Sequence, residues 1–236
     1  AARPLLGHDA LLLWYHTLAS SYALSAPLVE LLSCAPELLA QPEYAALMCR
    51  VWEETVLLAP EDVLHAFGMS VYGAMAPMVG HPNSPVIMEP IFAIDMHVRA
   101  LSTASLGAMA NIMRATHLDE AIFASLCRES DMYHVLQRCA ILVSRMALTM
   151  PPPMFHDMVR ATASWPDLCR RLISTSATLS HARSRKLVAL GLAHMLRHAS
   201  AQDKGLLSAV PDMIGMWTEV VGEVVEDEAG SAERYE

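Results

Sequence analysis

The sequence predicts an all-α protein, an α-solenoid of antiparallel helix pairs of the HEAT/ARM type, and three observations lead there. Hydrophobic residues make up 54% of the 236 residues but aromatics only 6%, so Leu, Ala and 16 Met supply the core material. These residues favour helix over sheet. No run of alternating Val, Ile and Thr with hairpin turns appears. The stretch Leu187 to Ala193 is seven apolar residues in a row between basic ends. As a helix it is hydrophobic all round and must be covered on every side, like the inner helix of a repeat held between its neighbours.

Taken in chain order, the pattern predicts helices over 6–23, 26–39, 43–58, 60–79, 91–114, 117–128, 131–149, 151–163, 165–178, 180–199 and 210–226. Pro60-Glu61-Asp62, Pro166-Asp167 and Pro211-Asp212 mark starts, with proline near the first helical position and acid beside the free N–H groups and the positive dipole end. Ser130-Asp131 and His117-Leu118-Asp119-Glu120 carry a weaker version of this signal. These acidic doublets are thereby explained by helix chemistry. The turn formers of Gly80-His81-Pro82-Asn83-Ser84-Pro85 make a loop, and Pro151-Pro152-Pro153 ends the helix before it. In the last helix Met213, Met216, Trp217, Val220, Val221, Val224 and Val225 form an apolar stripe. Glu219, Glu223 and Glu226 recur on another side. The expected organisation is one array of about five helix pairs over 1–226, with the degenerate period of about 40–47 residues typical of HEAT repeats, then an acidic mobile tail over 227–236. The chain opens Ala-Ala-Arg-Pro without Met and reads as a piece of a longer protein.

Charge is unevenly spread. Residues 1–110 carry three Lys and Arg against ten Asp and Glu, residues 111–209 twelve against seven, and residues 210–236 one against eight. A net charge of −9 disfavours nucleic acid, which requires a concentrated basic face, and makes a basic protein segment the better match for the acidic portions. Two windows lack Asp, Glu, Lys and Arg, 10–29 and 65–88. The first is diluted by His16, Thr17 and serines and the second is interrupted by Pro77 and Gly80, so membrane insertion is not expected. Five widely spaced cysteines without a C-x-x-C pair suit a reducing compartment.

None of the phosphate-binding, nucleophile-elbow or zinc-protease motifs occurs. The expectation is a protein without catalytic activity, cofactor or metal. His194 and His198 have metal-ligand spacing on one helix face, with no third ligand near in sequence, and a partly buried or end-capping role is preferred. Met146, Met150, Met154 and Met158 recur at spacing four and read as core packing, with an adaptable binding groove as the other reading. Cations at a helix start oppose its dipole, so Arg183, Arg185 and Lys186 are either solvated or meet carboxylates of a neighbouring repeat or a partner. They join Glu219, Glu223 and Glu226 as candidate protein-binding residues.

Arg185-Lys186-Leu187-Val188-Ala189-Leu190-Gly191-Leu192-Ala193-His194-Met195-Leu196 resembles the R-K-L-x-x-L-G-L-x-x-L-L helix near the C-terminal end of importin-β superfamily receptors, the karyopherins. The segment from Val210 to Val224, with Trp217 and its acidic run-out, is similar to the next helix in the importin-eleven-like branch. The specific similarity covers about the last 60 residues. It implies the C-terminal part of a nuclear import receptor that moves between cytoplasm and nucleus through the pore. Protein cargo would bind inside an arch, phenylalanine-glycine nucleoporins between helices on the outside, and Ran-GTP at N-terminal repeats outside this chain. Two rivals stay open: a HEAT scaffold of a non-transport assembly, and a compact helical enzyme or ligand-binding bundle.

Overall fold

A computed structural model describes residues 7–81, 84–128 and 132–232, from residue 224 on by backbone only. The described residues form fourteen helices: α1 (His8–Ala19), α2 (Ala26–Leu32), α3 (Ala35–Leu39), α4 (Pro42–Leu58), α5 (Pro60–Gly80), α6 (Met88–Ala100), α7 (Thr103–Ala115), α8 (Leu118–Cys127), α9 (Tyr133–Thr149), α10 (Pro152–Thr162), α11 (Trp165–Ser176), α12 (Ala182–Arg197), α13 (Lys204–Ser208) and α14 (Val210–Ala232). No strand occurs among them, and the all-α expectation holds. The chain divides into two compact units, Ala1–Ala121 and Ile122–Glu236.

Within the first unit α4 lies between α1 and α6, while α5 packs on α3 and α7, which gives the two layers of stacked helix pairs. Its helix starts follow the predicted chemistry. Pro60 is the first residue of α5, and Glu61 in that turn accepts a hydrogen bond from the Ser102 backbone N–H at 3.0 Å. That contact caps α7 and explains a break the sequence concealed: 91–114 was expected as one helix, but the chain turns at Leu101 and Ser102. Pro77 falls inside the helix expected over 60–79, and α5 runs through it to Gly80. Pro77 is exposed and one turn from the end, so water can satisfy the carbonyl that its missing N–H leaves free. At 21 residues α5 is long and apolar enough to cross a membrane by composition, but Val63, Leu64, Val71, Tyr72, Met75 and Val79 are buried within the unit.

At the centre of this unit, fully buried His97 bridges two helices. Its Nε2 lies 2.9 Å from the Pro60 carbonyl, which can only accept, so Nε2 carries the proton. Nδ1 then accepts from the Tyr72 hydroxyl at 2.7 Å, and the Trp52 ring packs edge-on against both. Burial pushes His97 down from 6.5 to about 4, against the opposing pull of the Pro60 bond and the Glu61 charge. Nearby, burial raises Glu53 from 4.5 to about 7, with Arg50 opposing and Glu54 and Glu89 adding to the rise.

In the second unit α12 lies between α9 and α14, and α11 packs under all three. The α9–α12 crossing is close. A Cβ at Gly191 would stand 2.9 Å from the Ser144 Cβ, 3.0 Å from its Cα and 3.1 Å from its carbonyl oxygen. Met146, Met150 and Met158 are buried and Met154 half-buried, as the core-packing reading requires. The last helix was expected to end at 226 and continues to Ala232. The predicted start at Ser130-Asp131 lies outside the described residues.

Two outcomes follow from this packing. Gly191→Ala gains about 0.8–1 kcal/mol of helix propensity, but its methyl meets backbone that cannot yield cheaply, at an overpacking cost of about 1–3 kcal/mol. Thermal unfolding followed by circular dichroism is expected to show a lower Tm, and a larger drop for Gly191→Val. For His97 the unfolded ring takes its proton near 6.5 and the folded ring near 4, so the unfolded chain binds more protons in between. Its contribution is complete above 6.5 and is lost as pH falls through that window, by about 3 kcal/mol in full. Glu53 acts in the opposite sense between 7 and 4.5, because there the folded state binds the extra proton. Urea unfolding at stepped pH therefore compares the protein with His97→Gln. The stability difference between the two is expected to shrink on acidification.

Candidate interaction site on the last helices

The candidate residues sit where α12 and α14 run antiparallel, held by two contacts. The Trp217 indole N–H donates to the Ala189 carbonyl at 3.0 Å, and Arg185 Nε meets Glu223 Oε2 at 2.8 Å. Arg185 also donates to the Leu179 carbonyl. Of the two readings of the basic cluster, Arg185 thus takes the intramolecular one, with a carboxylate of the adjacent helix. Arg183 and Lys186 are exposed and meet no carboxylate among the described residues. Glu219 is exposed and Glu223 is 35% exposed at its pair with Arg185. The side chain of Glu226 lies outside the described residues.

Two grooves flank this pair. One, of about 510 Å³, is lined by Arg170, Ser174, Arg185, Asp212, Glu219 and Glu223, so it gathers three of the predicted residues with mixed charge. The other, of about 290 Å³, is almost wholly apolar, with Leu190, Ala193, Trp217, Val220 and Val221 on its walls and Lys186 at one end. It corrects an expectation: the Leu187–Ala193 rod is not covered on every side. Val188, Ala189, Gly191 and Leu192 are buried, but Ala193 is exposed and Leu190 is 50% exposed. The helix has α9, α11 and α14 as neighbours, and the face that carries Leu190 and Ala193 is open.

A buried polar cluster that the sequence did not signal fixes the approach to α14. Asp203, 0% exposed, accepts from Arg160 Nε and Nη2 at 2.8 and 2.9 Å, from Trp165 Nε1 at 2.9 Å and from the Ser200 N–H and hydroxyl at 2.8 and 2.9 Å. His156 Nδ1 stands 3.2 Å away and donates as well. Burial would raise this carboxyl, but the bonds from Arg160, Ser200 and His156 outweigh it and hold the group well below the ordinary carboxylate range. Sequence reading passed over 200–209 as a short connection. The only local signal was Ser200 three residues before Asp203, because the other donors lie about 40 residues away.

The remaining chemistry is structural. His194 Nδ1 donates to the Ala147 carbonyl of α9 at 2.7 Å, so the ring is used as a tie between helices. Among the described residues no three His, Cys, Asp or Glu gather as metal ligands. Burial raises Cys49, and the Glu53 and Glu89 charges add to it; burial also brings Cys139 to about 12. That is the reverse of what a nucleophilic thiol needs.

Comparison with known proteins decides the family. A family described as "Importin-11-like, TPR repeats" matches residues 1–234. The chain belongs to this importin-like family. The match extends the sequence resemblance from the last helices to nearly the whole chain. No curated protein and no solved structure matches it. The importin-like chain is built of helical repeats of a nuclear transport receptor family, and its fold is of the α-solenoid class. The family description speaks of TPR repeats, where the sequence suggested HEAT-type pairs. The equivalent helices α4 and α6 start at Pro42 and Met88, and α9 and α12 at Tyr133 and Ala182. Those steps are nearer the HEAT period of about 40–47 residues than the TPR period of about 34.

The cluster around Asp203 gives a direct test. Asp203→Asn leaves Arg160 and His156 facing a neutral amide in a buried site and is expected to cost about 3 kcal/mol. Denaturant unfolding is expected to show a lower midpoint, whereas Asp157→Asn, at an exposed ion pair with Arg160, changes it by less than about 1 kcal/mol.

Proposed function

We propose that the chain is the cargo-binding C-terminal part of a nuclear import receptor, built as one array of about five helix pairs over 1–226. The family match over residues 1–234 carries this reading. Its chemistry is shape and charge. Stacked helices offer surfaces on both layers, and the acidic first 110 residues, with exposed Glu30, Glu37, Glu43 and Asp62, attract basic cargo. Ran-GTP acts at repeats outside this chain and shifts the receptor away from the cargo-binding form. Phenylalanine-glycine nucleoporins enter apolar gaps between helices and carry the receptor between cytoplasm and nucleus. Binding alone accomplishes the work, with no catalytic step and no cofactor.

The experiment is affinity capture with the protein that carries this chain, in the presence and absence of Ran-GTP. A receptor is expected to retain basic cargo without Ran-GTP and to lose at least tenfold of it when Ran-GTP is added. Unchanged retention would assign the chain to a scaffold.

A further inference from the structure

The exposed residues of α12 fall on one line. Arg183, Lys186, Leu190, Ala193 and Arg197 are all exposed, and their spacing of three, four, three and four residues keeps them on a single face of the helix. The face is cationic at both ends and apolar in the middle. Its centre opens into the 290 Å³ groove, where Leu190 is 50% exposed, Val221 is 61% exposed and Trp217 is part of the lining. Arg183, Lys186 and Arg197 meet no carboxylate among the described residues, although Arg185, one step round the same helix, is fully engaged by Glu223.

We propose that this face is a docking groove for an acidic amphipathic helix of another protein, one bulky apolar side chain entering between Leu190 and Trp217 while carboxylates meet Arg183, Lys186 and Arg197. Charge complementarity selects this occupant. A neutral apolar segment fills the groove but leaves three cations that meet no carboxylate among the described residues, and a flat anion such as a nucleic acid strand meets the cations but leaves the apolar centre uncovered. A helix provides both, because the stripe repeats at the spacing at which a facing helix sets its anchors. The span from Arg183 to Arg197 is about 20 Å, which three to four turns of partner helix cover. The cations at the start of α12 also oppose its dipole, so an incoming carboxylate relieves an unfavourable interaction as well as making a new one. The surface is separate from the acidic first unit to which basic cargo was assigned, and it stands whether or not Ran-GTP releases cargo.

The test is fluorescence anisotropy on the whole chain with a labelled 16-residue helical peptide carrying Leu at positions four apart and Glu at the flanking positions. Binding is expected to weaken at least tenfold between 50 and 500 mM salt. Arg183→Glu with Lys186→Glu is expected to weaken it at least tenfold, and a peptide with Lys in place of Glu is expected to restore binding to that variant. Leu190→Asp, at a half-exposed position, is expected to abolish binding while leaving the thermal melt unchanged. Equal binding of a Glu→Gln peptide, or binding of a phenylalanine-glycine repeat peptide in its place, would overturn the proposal. So would equal binding of a single-stranded RNA oligonucleotide, or no binding of the acidic peptide at all. A dimer in light scattering that Leu190→Asp dissociates would assign the groove to a second copy of the chain and overturn it equally.

Discussion

The contact between Gly191 and Ser144 governs the geometry of the second unit. Two helices normally pack with axes about 8–10 Å apart, the distance being set by the side chains at the crossing. Here one partner has no side chain and the other a small one, so α12 sits with its backbone nearly on α9. That closeness determines which residues of α12 turn inward. Val188, Ala189, Leu192 and Met195 fill the space toward the core, and the helix cannot roll without driving one of them into Ser144. Ser144 Oγ is buried with no hydrogen-bond partner, so the position favours small volume even at the cost of an unsatisfied hydroxyl. With α12 fixed in rotation, the opposite face is necessarily the one that carries Arg183, Lys186, Leu190, Ala193 and Arg197.

A second constraint places α14 beside that face. Between α12 and α14 the chain must turn twice, and it does so around a single carboxylate. Asp203 would be costly to bury alone, but donors from α10, α11 and its own loop surround it, which makes the turn a fixed corner. Gly205 fits the same corner from outside: a Cβ there would fall 2.7 Å from the Pro166 ring. From this corner α14 sets out along α12, and the bond from Trp217 to the Ala189 carbonyl keeps it in register. The groove between Leu190 and Trp217 is therefore a product of two remote constraints, the small pair on one side of α12 and the buried acid at its end.

How much of this the sequence disclosed depends on the range of the interactions concerned. Local ones were legible: proline followed by acid marked the starts of α5, α11 and α14, and Pro151 to Pro153 separated α9 from α10. The motif from Arg185 to Leu196, with the segment from Val210 to Val224, led to the right family from the last quarter of the chain, because Gly191 stands where the crossing with Ser144 leaves no room for a side chain and Arg185 where α14 supplies Glu223. Long-range features were hidden. The break at Ser102 depends on Glu61, the corner at Asp203 on Arg160 and Trp165, and the bridge at His97 on Tyr72 and the Pro60 carbonyl. None of these pairs is close in sequence, and no single residue in them announces its partner. The run from Leu187 to Ala193 illustrates a different limit. Apolar character on every side is compatible with burial on every side and equally with burial against several neighbours and a groove on the remaining face.

The same limit explains why the basic cluster could not be resolved from sequence. Arg183, Arg185 and Lys186 are equivalent in composition, and each is placed unfavourably in the first turns of a helix. Their environments separate because each residue turns the helix by about 100°. Arg185 is directed at α14 and finds Glu223 and the Leu179 carbonyl, so its charge is compensated inside the molecule. Arg183 and Lys186 are directed away, into line with Leu190, Ala193 and Arg197. Their interaction with the dipole costs stability, typically about 0.3–1 kcal/mol per charge at a surface, and nothing described within the fold returns it. A local choice that works against the fold without compensation inside it is what a binding surface looks like in energetic terms, since the compensation arrives with the partner. The exposed Leu190 has the same character in apolar form: a large side chain half in water beside a groove that a neighbour's side chain would fill. Two independent departures from internal consistency, one electrostatic and one hydrophobic, coincide on one helix face, and a single acidic amphipathic segment resolves both.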